Sequence, residues 1–266
     1  MRTHALVCHA FVAVSVLLPT TGLALTLDSY KASLPVSSCL PASGQRVIFT
    51  GQFCDGAMCP PASLVTCGTH DVVQTGVPGV LGGRRQTQLF NSFEATDARI
   101  DDVAHRAVVR FNGTTESGFE IDYGTPFTND PQDPDALNLD FVGLGVTSVQ
   151  LAINGNISAS RPLLLVIELL TDAVSDPRPS ANVIRIVDRP GVVSIPLSDF
   201  VPSLGFTMDQ VDDIQIGLSN CLDHENGCPP ETLFEALTFS LTPLELVTPP
   251  TAARPVSWGA LKAIYR

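Results

Sequence analysis

Two acidic side chains on one predicted strand are the arrangement in this sequence closest to a catalytic pair. Side chains alternate along the segment Phe119–Tyr123, so Glu120 and Asp122 share one face. Retaining glycoside hydrolysis needs two carboxylates about 5–5.5 Å apart, one acting as nucleophile and the other as acid/base. The next position on this face is Gly124, which cannot supply a further acid. We therefore predict a solvated acidic strand face, with no catalytic and no cofactor-binding residues.

A short acidic loop provides candidate metal ligands. Asp130, Asp133 and Asp135 fall in the stretch Asn-Asp-Pro-Gln-Asp-Pro-Asp. Calcium takes six to eight hard oxygen ligands, and extracellular modules hold it weakly. The loop therefore predicts a structural calcium site, and the alternative is an acidic, proline-stiffened surface loop.

Cysteine usage indicates an oxidising compartment, because an even number remains once an N-terminal export signal is removed. The six are Cys39, Cys54, Cys59, Cys67, Cys221 and Cys228. The last two bracket a short polar loop, which predicts a local disulfide, and the other four would then pair within residues 39–67. A zinc site that uses Cys54, Cys59 and His70 is the alternative, although the spacing is not that of a zinc ribbon.

The N-terminus is typical of a secretory signal peptide covering residues 1–24. Arg2 precedes the apolar run Ala5–Leu18, and Gly22 and Ala24 are the small residues expected before a cleavage site. The run is shorter than the roughly 20 apolar residues that a membrane span needs. We predict a secreted or cell-surface protein with no transmembrane span.

The C-terminus consists of a proline-rich linker, residues 247–256, and a tail, residues 257–266. Trp258, Leu261 and Tyr265 would share one face of a short helix. Isolated helices shorter than about 12–15 residues are marginal in water, so the tail needs a surface on which to fold. We expect the tail to fold either on a sorting or cell-surface partner or on the protein's own sandwich.

Composition excludes some classes of function and the middle of the chain indicates the fold. A formal net charge of −12 makes nucleic acid an unfavourable partner.

Short apolar runs separated by turn residues predict an all-β sandwich over residues 79–246, after a cysteine-rich segment at 25–78. The predicted strands are Gln86–Phe93, His105–Phe111, Gly118–Tyr123, Leu137–Gly143, Val149–Ile153, Pro162–Leu170, Asn182–Val187, Val192–Pro196, Asp213–Leu218 and Leu233–Leu241.

Two late segments carry a resemblance to known sandwiches. The run Val192–Phe200, which contains Ile-Pro-Leu-Ser-Asp-Phe, and the run Asp209–Ile216 resemble late strands of jelly-roll carbohydrate-binding modules and galactose-binding-like domains. Gly79–Arg85 resembles part of secreted bacterial jelly-roll proteins that carry sorting tails. The resemblance implies a jelly-roll fold over residues 79–246 and, since such modules often hold calcium, a structural ion.

These patterns together favour binding over catalysis. We expect a non-catalytic protein that binds a glycan or a cell-envelope component. The alternatives are a secreted glycan-active enzyme and a purely structural envelope protein. Residues 79–246 contain no Trp and only one Tyr, Tyr123, so a flat aromatic platform for crystalline polysaccharide is not expected.

Overall fold

Two antiparallel β-sheets make up most of the part of the chain that the structure describes. The computed structural model describes residues 24–30, 46–51, 67–68, 71–90, 96–101, 104–111, 113, 116–124, 136–171, 177–222, 228 and 234–249. The predicted all-β sandwich is confirmed by these two sheets. No helix within the described ranges is both long enough and apolar enough to cross a membrane.

Among the described residues, the first sheet has nine strands. They are β1 (Ala24–Thr26), β2 (Arg46–Gly51), β3 (Cys67–Gly68), β6 (Thr96–Asp101), β7 (Arg106–Phe111), β9 (Ser148–Gly155), β12 (Gly191–Pro196), β15 (Leu237–Leu241) and β16 (Glu245–Val247). The order is β1-β16-β9-β15-β7-β6-β2-β3, with β12 paired to β9. Residues before position 79 therefore contribute strands to the sandwich.

The second sheet, over the same described ranges, has seven strands. They are β4 (Asp71–Gln74), β5 (Arg85–Phe90), β8 (Gly118–Gly124), β10 (Leu163–Leu170), β11 (Ser180–Val187), β13 (Val201–Pro202) and β14 (Asp213–Ser219). The order is β13-β11-β10-β14-β8-β5-β4, so β14 and β8 lie at the centre. Glu120 and Asp122 belong to β8.

Alternating side chains explain why one face of each central strand is buried. Phe119, Ile121 and Tyr123 of β8 are fully buried, as are Leu165 and Ile167 of β10. Strand β11 also alternates, but its outward positions carry apolar side chains. Val183 is buried, whereas Ile184 is 41% exposed and Ile186 is 61% exposed. Alternation in the sequence separates these two faces correctly, but it does not show which of them faces the core.

The interior also contains a charged cluster under the N-terminal segment. Arg85 Nη1 donates to Asp28 Oδ2 at 2.5 Å, and Arg85 Nε and Nη2 donate to Gln74 Oε1 at 3.1 and 2.7 Å. The Tyr30 backbone N–H donates to Asp28 Oδ1 at 2.7 Å, and the Tyr123 hydroxyl lies 3.4 Å from Asp28 Oδ2. Burial raises the pKa of both tyrosine hydroxyls, which therefore stay neutral and available as donors. The cluster holds residues 27–30 against the second sheet.

Most predicted strands are confirmed to within a few residues, but Leu137–Gly143 is not a strand. Only an isolated bridge joins Leu139 to Val211, and a turn follows at residues 141–145. The Gly143 backbone N–H donates to Asp140 Oδ1 at 2.6 Å, and Asn138 has a positive φ of 50°. The Asp140 side chain thus stabilises a turn where the apolar pattern suggested extension.

Candidate ligand-binding site

The outer face of the seven-stranded sheet carries a row of polar side chains. The strand register places Glu168 of β10 between Asn182 of β11 and Gln215 of β14, and Gln215 is opposite Asp122 of β8. Asp122 is in turn opposite Gln86 of β5. These residues come from five strands, and antiparallel pairing brings them to one line across the sheet. Asp122 and Gln86 are buried, so the accessible part of the row is Asn182, Glu168 and Gln215.

A second row runs parallel to the first and contains a gap. Gly217 of β14 lies between Val166 of β10 and Glu120 of β8. Because Gly217 has no side chain, a depression of about 120 Å³ opens between its neighbours. Leu164 and Val166 line one side, Glu120 and Glu168 contribute carboxylates, and Gln215 contributes an amide.

An aliphatic strip extends from this depression to the edge of the sheet. Val166 is paired with Ile184, and Leu164 is paired with Ile186. Both isoleucines are exposed, while Leu164 is buried at the base of the strip. The outer face therefore offers an apolar surface directly beside hydrogen-bonding groups.

The polar groups around the depression are partly held in place by one another. Gln215 Nε2 donates to Asp213 Oδ2 at 3.4 Å, and Arg178 Nη1 lies 3.2 Å from the same oxygen. Burial raises the pKa of Asp213 to about 7 against the opposing charge of Arg178, and the negative charge of Glu120 adds to the rise. Ser219 Oγ donates to the Ser117 carbonyl at 3.3 Å and accepts from the Cys221 N–H at 2.9 Å.

The structure brings only some of the predicted site residues to this face. Glu120 and Asp122 share one face of β8 as predicted, but Asp122 is only 1% exposed, so the prediction of a solvated acidic face is wrong at this position. Tyr123 is fully buried, so the single Tyr of residues 79–246 is a core residue. Cys221 and Cys228 form the predicted disulfide.

The remaining predicted residues fall outside the described part of the chain. They are residues 1–23 of the predicted signal, Cys39, Cys54, Cys59, the acidic loop residues Asp130, Asp133 and Asp135, and the tail residues Trp258, Leu261 and Tyr265. Cys67 contributes backbone to β3. No group of three or more His, Cys, Asp or Glu residues that could hold a metal ion occurs among the described residues.

Sequence reasoning missed Glu168, Gln215 and Gly217 as site residues. Glu168 was visible as the one charge in an otherwise apolar strand, which is a signal that the residue faces outward. Gly217 gave a weaker signal, since glycine within a strand can mark close approach of a ligand. The cross-strand register that joins these residues is not contained in any local pattern.

Solved structures similar to this chain include carbohydrate-binding modules and an exo-β-agarase, and the similarity is distant. A family 11 carbohydrate-binding module from Clostridium thermocellum, in complex with a β-1,3-1,4-mixed-linked tetrasaccharide, is 14% identical with a TM-score of 0.38, over 67% of this chain and 95% of that one. A family 30 module of a Clostridium thermocellum cellulosomal cellulase is 11% identical with a TM-score of 0.36, over 78% and 98%. No protein-family model and no curated protein matches the chain. At these TM-scores no ligand or residue role transfers to this protein.

Proposed function

We propose that this protein is a non-catalytic glycan-binding protein, and that the outer face of its seven-stranded sheet is the binding surface. The observation that carries the proposal is the depression over Gly217, with carboxylates and an amide beside an aliphatic strip. A sugar ring presents hydroxyl groups around its edge and C–H groups on its faces. The polar row and the aliphatic strip match these two kinds of group on adjacent strands.

The geometry suits an oligosaccharide that lies along the face. A depression of about 120 Å³ accepts roughly one ring, because ligand pockets for larger molecules usually measure about 300–1,000 Å³. Neighbouring sugar units would rest on Ile184 and Ile186, the exposed part of the strip. Burial of C–H surface against such side chains contributes about 25 cal/mol per Å² of apolar area.

Filling the depression tests this proposal. A Cβ added at Gly217 would lie 3.8 Å from Val166 Cβ and 3.9 Å from Glu120 Oε2, so a side chain fits the backbone and occupies the depression. We expect Gly217→Val to weaken binding at least about tenfold, because the side chain occupies space needed by the ligand and even one surplus methylene in a pocket costs about 1–3 kcal/mol. The measurement is a glycan array of the full chain, followed by calorimetric titration of the bound glycan.

Ala152→Val is the matched control. Ala152 lies half-buried on β9 of the other sheet, so the substitution also adds a branched side chain to a strand. We expect this variant to bind like the natural protein. Equal binding by Gly217→Val, or a blank array with a protein that melts cooperatively, would refute the proposal.

A further inference from the structure

The depression on the outer face offers hydrogen-bond acceptors in excess of donors. Glu168 contributes two carboxylate oxygens, and within the part of the chain that the structure describes no residue donates to them. One N–H of Gln215 is already committed to Asp213, and the Ser219 hydroxyl proton is committed to the Ser117 carbonyl. A ligand that pairs with these acceptor oxygens must therefore supply hydrogen-bond donors.

Charge leads to the same requirement. The described side chains that line the depression include Glu120 and Glu168 and no Lys, Arg or His. Arg178, which reaches β14 beside Gln215, is paired with Asp213 at 3.2 Å. The carboxylate of Glu168 therefore makes the depression unfavourable for an anionic sugar such as a uronate, because like charges repel.

The ligand must supply hydrogen-bond donors and must suit a negatively charged site, and an ammonium group meets both requirements better than a hydroxyl group. A hydroxyl brings one donor together with two lone pairs, whereas an ammonium brings three donors and no acceptor. Hydrogen bonds between ionised partners are also about twice as strong as neutral ones. Leu164 and Val166 at the same depression would contact the C–H face of the ring that carries the group.

We propose that the bound glycan is an amino-sugar polymer, and that Glu168 binds the ammonium group of one glucosamine unit. This inference rests on the proposed glycan-binding function and narrows its ligand class. Gln215 and Asn182 flank Glu168 on the neighbouring strands and would bind hydroxyl groups of the same or the next unit.

Three oligosaccharides of equal length test the inference on the full chain. They are β-1,4-linked glucosamine, its N-acetylated form, and β-1,4-linked glucose, titrated by calorimetry at low salt and at a pH where the amine is protonated. We expect the glucosamine oligomer to bind at least about tenfold more tightly than the other two, since hydrogen bonds to charged groups contribute about 1.5–3 kcal/mol. Its affinity should fall with added salt, as screening predicts.

Glu168→Gln separates the charge from the shape of the site. We expect this variant to lose roughly 10- to 150-fold in affinity for the glucosamine oligomer, and to bind the neutral oligomers nearly unchanged. Glu245→Gln, on β16 of the other sheet, is the matched control and should bind like the natural protein. Equal affinity for the glucosamine and N-acetylated oligomers, or no effect of Glu168→Gln, would overturn the inference while the neutral oligomers still bound. Failure of all three oligomers to bind, together with a blank array, would instead overturn the proposed function.

Discussion

Replacing Asp28 with Asn should destabilise the protein strongly, because the substitution removes the charge that faces a buried guanidinium. Arg85 is fully buried and Asp28 is 1% exposed, and their side chains are joined at 2.5 Å. Arginine does not lose its proton in proteins, so the positive charge stays when the carboxylate is gone. Gln74, a neutral amide, still accepts two hydrogen bonds from the guanidinium, at 3.1 and 2.7 Å.

The size of the expected loss follows from the burial of this ion pair. Removing one partner of a buried ion pair costs about 3–5 kcal/mol. A natural domain has a free energy of unfolding of about 5–15 kcal/mol, so the loss is a large share of the total. The same change at the exposed pair of Arg161 and Glu235, which are 38% and 56% exposed, should cost only about 0–1 kcal/mol.

Urea unfolding of the natural protein, Asp28→Asn and Glu235→Gln measures both losses. A double variant, Asp28→Leu with Arg85→Met, replaces the pair by apolar side chains and should be more stable than Asp28→Leu alone. This follows because replacing both partners is often neutral, whereas removing one leaves a buried charge. If Asp28→Asn were no less stable than Glu235→Gln, the charge would not be buried as the structure places it, and the reasoning would be refuted.

Two further predictions concern pH and the disulfide. Burial gives Asp213 a folded-state pKa of about 7, above the unfolded value of about 3.9. The folded state therefore holds this proton more tightly than the unfolded state. As a result, the free energy of unfolding falls as the pH rises from about 4 to about 7. Asp213→Asn should remove this part of the pH dependence in urea titrations at several pH values, and an unchanged pH profile would contradict it. Replacing both Cys221 and Cys228 with Ala opens a bridge between residues 7 apart and should lower the free energy of unfolding by about 2–3 kcal/mol. Thermal melts with and without reductant check this, and a natural protein insensitive to reductant would speak against it.

Local alternation made much of the sheet predictable. The segment Phe119–Tyr123 reads directly as a strand with two faces, and the structure keeps that division. The local spacing of Cys221 and Cys228 around a polar loop likewise pointed to their disulfide. Such features depend on residues close in sequence, so a single chain is enough to identify them.

Features that depend on distant residues were not predictable. Asp28 and Arg85 are 57 positions apart, and nothing in either local sequence indicates that one carboxylate and one guanidinium will be buried together. The depression joins Glu120, Glu168 and Gly217 through pairings on both sides of β14. A shift of one residue in either register would turn the site face toward the core, and register over such distances has no local signature.

Strand β8 separates the contacts that stabilise the fold from the contacts proposed to bind ligand. Tyr123 points toward Asp28 in the interior, whereas Glu120 lies beside Gly217 on the outer face. Asp28→Asn should therefore lower stability without changing the affinity of the molecules that remain folded. Gly217→Val should do the reverse, because its Cβ meets no atom closer than 3.8 Å. If both variants changed stability and affinity together, the depression would be an effect of core packing, and the glycan-binding site would have to lie elsewhere.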